Sequence, residues 1–313
     1  MNKLYIIQGA YNDYVLSLIE NLLNLDSSAK VIFSHYDSEI SVLNKFNDER
    51  FFELLIKDPG SDFNLKKFKP TNIYRQISTS FSCDSSKFIT KGIIFKMRSD
   101  LIISSRKNFI KCVKKIEMLF EKNKELELIC LQNGTFNPYG RYKYPFHCND
   151  WFYASRCERF KELETYFLNK KKSDLELNYF EHKNKPSFLK LTKYISRYQA
   201  EQLVHFADRF NQYEMEAGPT FEKSTLVSFN NFVKKNLWIV PISKSGLKLS
   251  KRPRGIGVAH KFCSISELDI FIIRNLPKGL EGFYLYIKGK ATSFFWYPVN
   301  IVDKIMRRFR FID

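Results

Sequence analysis

The chain has 313 residues, with 51 Lys and Arg against 33 Asp and Glu, a formal charge of +18, and 44% apolar residues. That apolar share supports one large core or two modest ones, and it excludes a disordered, collagen-like or disulfide-stapled chain. No apolar run reaches the ~18 residues a spanning helix needs, and the start from Met1 to Ile7 lacks the apolar region of a secretory signal, so a cytoplasmic protein is expected.

The first third alternates strand and helix signals. Leu4 to Gln8 is a short apolar run ended by Gly9, and Asn12-Asp13 can cap a helix in which Leu16, Ile19, Leu22 and Leu23 share a face. Lys30 to Ser34 and Phe51 to Ile56 read as strands, the latter stopped by Asp58-Pro59-Gly60. Asn72 to Ser86 reads as a helix, Gly92 to Met97 as a strand, Lys107 to Asn123 as a basic amphipathic helix, and Leu126 to Leu131 as a strand. This alternation predicts a mostly parallel sheet with helices on both sides.

Gln132 to Tyr144, rich in Gly, Asn, Pro and Tyr, reads as a long loop, and Phe146 to Tyr153 as a strand. Helices are expected over 157–168, 198–212 and 221–235, and a strand near Trp238. Gly282 to Ile287 and Ser293 to Trp296 read as strands, and Val302 to Phe311 mixes Arg and Phe as an interfacial segment does. The six cysteines, at 83, 112, 130, 148, 157 and 263, form no CxxC pair and are expected to be reduced and mostly buried.

Ligands of open parallel sheets bind beyond the carboxyl ends of the strands. There the sequence places Gln8-Gly9-Ala10, Ser34-His35, Asp58 and Arg98-Ser99-Asp100. Arg98 is suited to a phosphate, and Asp100 to a divalent ion bridging a diphosphate; a salt bridge from Arg98 to a neighbouring acid is the plain alternative. Asn72, Arg75 and Gln76 share a helix face near a helix start, a setting suited to phosphate or ribose. Asp150 beside Trp151 is the first candidate for a general base, with a turn or helix-capping aspartate next to a core tryptophan as the plain alternative; Glu201, four residues before His205, is the second, on what otherwise reads as a mixed polar helix face. The chain lacks GxGxxG after its first strand and lacks GxxxxGK[ST], which argues against dinucleotide oxidoreductases and P-loop NTPases.

Four segments in order carry a resemblance: Tyr5-Ile6-Ile7-Gln8-Gly9, then Asn72-Ile-Tyr-Arg75-Gln76-Ile-Ser78-Thr79, then Phe95-Lys96-Met97-Arg98-Ser99-Asp100-Leu101, then His147-Cys-Asn149-Asp150-Trp151-Phe152. Over about residues 4–210 the chain resembles the WavE-type lipopolysaccharide synthesis family of bacterial glycosyltransferase-like proteins. The resemblance implies an α/β, GT-A-like fold: a mostly parallel Rossmann-type sheet flanked by helices, with an α-rich or mixed C-terminal part. It divides its span into a nucleotide-sugar-binding part (1–145) and an acceptor-side completion (146–215); beyond about residue 215 the resemblance ends, and 216–313 reads from its charge as a basic C-terminal extension facing acceptor or membrane. Gln8, Gly9, Asn72, Arg75, Gln76, Arg98 and Asp100 then line the donor, and Trp151 and His147 the acceptor. Asp100 becomes the ligand of a Mn2+ or Mg2+ cofactor, with Arg98 standing where GT-A enzymes keep the first acid of Asp-x-Asp. The implied partners are a nucleotide-sugar donor and a lipid-linked or oligosaccharide acceptor of lipopolysaccharide or capsule, met peripherally at the inner face of the cytoplasmic membrane. Ala10 replaces the Pro usual after Gln-Gly, and Tyr153-Ala154 occupies a region where Gly is common.

Two other classes compete. The charge, with Lys and Arg interleaved with Phe and Tyr, suits a nucleic-acid-binding protein, but no recognised nucleic-acid-binding motif is present and no nucleic-acid partner is expected. A nucleotidyltransferase on a similar scaffold would release pyrophosphate in place of a nucleoside diphosphate.

Overall fold

The structure is a computed structural model, and it describes residues 1–58, 73–132, 137, 139, 151–168, 223–250 and 264–309. In chain order the strands are β1 (Lys3–Gln8), β2 (Ala29–Tyr36), β3 (Phe51–Ile56), β4 (Ile93–Arg98), β5 (Leu101–Ile103), β6 (Leu128–Leu131), β7 (Phe152–Arg156), β8 (Leu237–Val240) and β9 (Leu247–Leu249). Seven of them form one sheet in the order β3-β2-β1-β4-β7-β6-β8, while β5 and β9 pair as a separate antiparallel ribbon. Within the large sheet only β7 runs against its neighbours.

The helices are α1 (Asp13–Leu25), α2 (Ile73–Phe81), α3 (Arg106–Lys122), α4 (Cys157–Leu168), α5 (Lys223–Lys235), α6 (Glu267–Asn275) and α7 (Leu280–Phe309), with a one-turn helix at Ile242–Ser245. Asn12 and Ser105 cap α1 and α3 by accepting from the amides of Tyr14 and Asn108. Ser266 and Asp269 close a capping box on α6.

Parallel strands covered on both faces read as unbroken apolar runs, and Leu4 to Ile7 is buried throughout. Leu4 and Ile6 face the layer holding Ile77 and Phe81 of α2, Phe160 of α4 and Phe229 of α5. Tyr5 and Ile7 face the opposite layer, where Leu18 and Leu22 of α1 meet Phe109, Ile116 and Phe120 of α3. This two-sided, mostly parallel sheet is the α/β class the sequence predicts.

Some sequence expectations differ in detail. The segments 282–287 and 293–296, expected as strands, lie within the 30-residue helix α7. Their Phe, Tyr and Ile content mimics strand preference, but Glu281, Leu285 and Thr292 are buried at helical spacing. The helix expected over 72–86 stops at Phe81, and Asp84 turns the chain with a φ of 44° before a 3-10 turn at Ser85–Lys87. Of the strand expected over 146–153, residues 146–150 lie outside the described residues, and Phe152 and Tyr153 belong to β7, Phe152–Arg156; α3 buries Phe109 and Cys112 alongside Val113, Ile116 and Phe120. The helix expected over 198–212 lies outside the described residues. Cys83, Cys112, Cys130 and Cys157 are buried free thiols, as expected.

Candidate active site

The strand order reverses beside β1. The chain goes from β1 to β2 and β3 on one side, then crosses to β4 on the other. Such a switch point opens a crevice between the carboxyl ends of the two central strands. Gln8 and Arg98 are register partners there.

The backbone at this edge is held tightly. Gly9 has a φ of +121°, and a Cβ on it would stand 2.9 Å from Ser99 Oγ. Glycine is needed both for the conformation and for the close approach of the two turns. The Ser99 amide donates to the Gln8 carbonyl at 2.9 Å, and its hydroxyl donates to the Ala10 carbonyl at 2.8 Å. Asn12 Nδ2 donates to the Ser99 carbonyl at 3.1 Å while its Oδ1 caps α1. The Arg98 amide donates to the Trp151 carbonyl at 2.9 Å, and the Ser250 amide to the Asp100 carbonyl at 2.8 Å. The Gln8–Ala10 and Arg98–Asp100 turns therefore form one hydrogen-bonded unit, continued by the β5–β9 ribbon.

Two guanidinium–carboxylate pairs mark the edge. Arg98 holds Asp100 through Nε at 3.0 Å and Nη2 at 2.7 Å. Arg75, in the first turn of α2, holds Asp58, just beyond β3, through Nε at 2.8 Å and Nη2 at 2.6 Å, and lies 5.7 Å from the Tyr36 ring centre. All four side chains are 27–31% exposed. A guanidinium is a five-donor fork, able to hold a carboxylate along one edge and address a phosphate along another. Gln8 is buried and its Oε1 accepts from Thr79 Oγ1 of α2 at 2.8 Å, which ties the end of β1 to the helix carrying Arg75 and Gln76.

A buried carboxylate network supports the loop from the α1 side. His35, fully buried near the end of β2, lies 3.1 Å from Glu39 Oε2 through Nδ1 and 2.8 Å from Glu53 Oε1 through Nε2. Glu39 also accepts from the Tyr11 amide at 2.7 Å. Glu53 accepts from Val42 N at 2.6 Å and Ser41 Oγ at 2.5 Å. Burial raises the Glu53 carboxyl, but the donors from Ser41, Val42 and His35 outweigh it and hold it below the usual carboxylate range. The Gly9–Tyr11 turn is thus fixed from β4 and from β2–β3 together.

Of the expected site residues, the structure brings Gln8, Gly9, Arg98 and Asp100 to one edge of the sheet, with Arg75 and Gln76 in the first turn of α2. Trp151 joins through its carbonyl. Its side chain is buried in the core layer under α1 and α3, so the indole is not the open sugar platform expected for it. Asn72, His147, Asp150 and Glu201 lie outside the described residues. Sequence reasoning missed Tyr36 and the bridging role of Asn12, and gave Thr79 of the quoted motif no partner. A Thr two turns into a polar helix start carries no signal until its partner strand is known.

A divalent ion at Asp100 has to share both carboxylate oxygens with Arg98. No group of three or more His, Cys, Asp and Glu placed to hold a metal occurs among the described residues. Such ions are commonly held by one or two carboxylates together with substrate phosphates, so an ion here would rest on Asp100 and on the diphosphate of a donor.

No protein-family model matches the chain, and no curated protein matches its sequence. Among solved structures it is similar to the apo form of the glycosyltransferase GlyE from Streptococcus pneumoniae TIGR4. The TM-score is 0.39 and the identity 10%, over 92% of this chain and 64% of that one. The chain thus spans less than two thirds of that neighbour.

Proposed function

We propose that the chain is a WavE-type glycosyltransferase of GT-A-like architecture, which moves a sugar from a nucleotide-sugar donor to an oligosaccharide of lipopolysaccharide or capsule. The observation that carries the reading is the edge between β1 and β4, where the Gly9 turn, without a side chain, lies against Ser99, and the residues flanking that serine are an arginine and the aspartate it holds. The residues suit a diphosphate: close backbone approach at Gly9, and cationic forks at Arg98 and Arg75. The GxGxxG and P-loop signatures, which would direct the same crevice to other nucleotide chemistry, are missing from the sequence.

In the transfer, the acceptor hydroxyl oxygen attacks the anomeric carbon. The bond from that carbon to the diphosphate oxygen breaks, and the nucleoside diphosphate leaves with the electron pair. Arg98 stabilises the charge growing on that oxygen, and Asp100 holds the guanidinium in place. A cation fixed in the chain here supplies part of the charge that a divalent ion brings. In an inverting transfer the acceptor proton passes to a carboxylate, assigned to Asp150, with Glu201 as the second candidate. Residues 146–215 and the basic part 216–313 form the acceptor side, which meets a lipid-linked acceptor peripherally at the inner face of the cytoplasmic membrane.

The test is product analysis with a panel of nucleotide sugars and polysaccharide acceptors. Release of a nucleoside diphosphate that depends on acceptor and on Arg98 is expected. Pyrophosphate release would make the chain a nucleotidyltransferase, and nanomolar binding to unrelated oligonucleotides at physiological salt would replace the reading altogether.

A further inference from the structure

Helix α7 has a buried side and, opposite it, an exposed apolar stripe. Glu281, Leu285 and Thr292 are buried against the body of the protein, near α5 and α6. Leu280, Phe283, Ile287, Phe294 and Ile301 are 46–77% exposed. Their spacing of three, four, seven and seven residues keeps them on one line along a helix, roughly opposite the buried set at 3.6 residues per turn. The line is about 32 Å long at 1.5 Å per residue. An apolar stripe of that length is unusual on a surface helix and marks an interaction face.

We propose that this stripe of α7 is the surface by which the protein lies on an anionic lipid membrane, with the helix in the plane of the interface. Charge selects the occupant. The helix carries five Lys and Arg against two acids; Lys288 is paired with Asp269, and one of the acids, Glu281, is buried beside Lys234 at 3.5 Å. Lys278 at the start and Lys290 beside the stripe are exposed, with Lys290 lying 5.4 Å from the Tyr286 ring centre. Two copies, each with a charge of +18, would bring like charges together along this face. Anionic headgroups neutralise them, and the exposed Phe and Ile side chains reach the acyl boundary beneath. Among the described residues no helix is long and apolar enough to cross a membrane, which agrees with a helix that lies on the surface. The inference deepens the membrane-facing part of the reading above, but it does not depend on the sugar chemistry.

The experiment is flotation of the full-length protein with vesicles of phosphatidylcholine alone or mixed with phosphatidylglycerol, at low and high salt. The protein is expected to float with the anionic vesicles, less so with the neutral ones, and less as salt rises. Phe283→Glu with Phe294→Glu is expected to lower partitioning at least tenfold without altering the melting temperature or nucleotide binding. Lys290→Glu, which leaves the apolar stripe intact, is expected to weaken binding to anionic vesicles only. Flotation that ignores lipid charge, or that survives the double Phe substitution, overturns the proposal. So does a double variant that floats normally but converts a dimer to a monomer, since the stripe then pairs copies. Normal flotation in a protein that binds no nucleotide would defeat the transferase reading and leave this one standing.

Discussion

Gly9→Ala tests whether the crevice is built as described. The substitution places a Cβ on a residue with a φ of +121° and 2.9 Å from Ser99 Oγ. Holding a non-glycine residue in such a conformation costs about 1–3 kcal/mol. The Ser99 hydroxyl must also swing away and give up its 2.8 Å bond to the Ala10 carbonyl, which adds about 1 kcal/mol. A loss of about 2–4 kcal/mol in urea unfolding followed by far-UV circular dichroism is therefore expected. In a Ser99→Ala background the clash is gone and only the backbone strain persists, so the cost of Gly9→Ala should fall by about 1 kcal/mol. A Gly9→Ala protein within about 0.5 kcal/mol of the parent, or a cycle with no coupling to Ser99, would refute the close approach of the two turns.

Thr79→Val removes the hydroxyl that donates to the buried Gln8 Oε1 and is expected to cost about 1–2 kcal/mol by the same unfolding assay. Glu53→Gln sets an amide NH2 among donors from Ser41, Val42 and Leu43 and should cost about 2 kcal/mol at neutral pH. Because the folded protein holds the Glu53 carboxyl below its unfolded value, the carboxylate contributes stability that is present above the unfolded pKa, near 4.5, and is lost as pH falls through the folded one. Stability measured against pH should consequently fall less steeply below pH 4.5 in Glu53→Gln than in the parent. Iodoacetamide at pH 8 followed by peptide mass spectrometry should leave Cys83, Cys112, Cys130 and Cys157 unmodified in the folded protein. All four are buried, and burial pushes the Cys112 thiol up to about 12.

The sheet was largely legible because its strands are covered on both faces. Leu4 to Ile7 and Ile93 to Met97 can bury their apolar side chains only between two helical layers. Helix α7 misled because its large apolar side chains are exposed while Glu281 and Thr292 are among those it buries, which inverts the pattern that identifies a surface helix, and its Phe, Tyr and Ile content suggests strands. The ribbon strands β5 and β9 are three residues each, too short for alternation to register. At the site, strand ends are marked in sequence by where apolar runs meet Gly, Arg or Asp, so Gln8, Gly9, Arg98 and Asp100 could be chosen together. The partnership of Arg75 with Asp58 spans a 17-residue separation, and that of Gln8 with Thr79 spans 71. Such pairs exist only once α2 is laid against β1. Trp151 shows the opposite limit: a Trp beside an Asp suggests a sugar platform, and only burial reveals a core ring.

The central claim is that the crevice between β1 and β4 binds the diphosphate of a nucleotide through Arg98. Titration calorimetry with a panel of nucleoside diphosphates, on the parent and Arg98→Ala, tests it most directly. A charge-assisted contact worth about 1.5–3 kcal/mol corresponds to a roughly 10–150-fold loss of affinity in the variant. The account predicts that loss for whichever diphosphate the parent binds, with chelator present as well as with manganese or magnesium. Equal affinity in Arg98→Ala and the parent would contradict it.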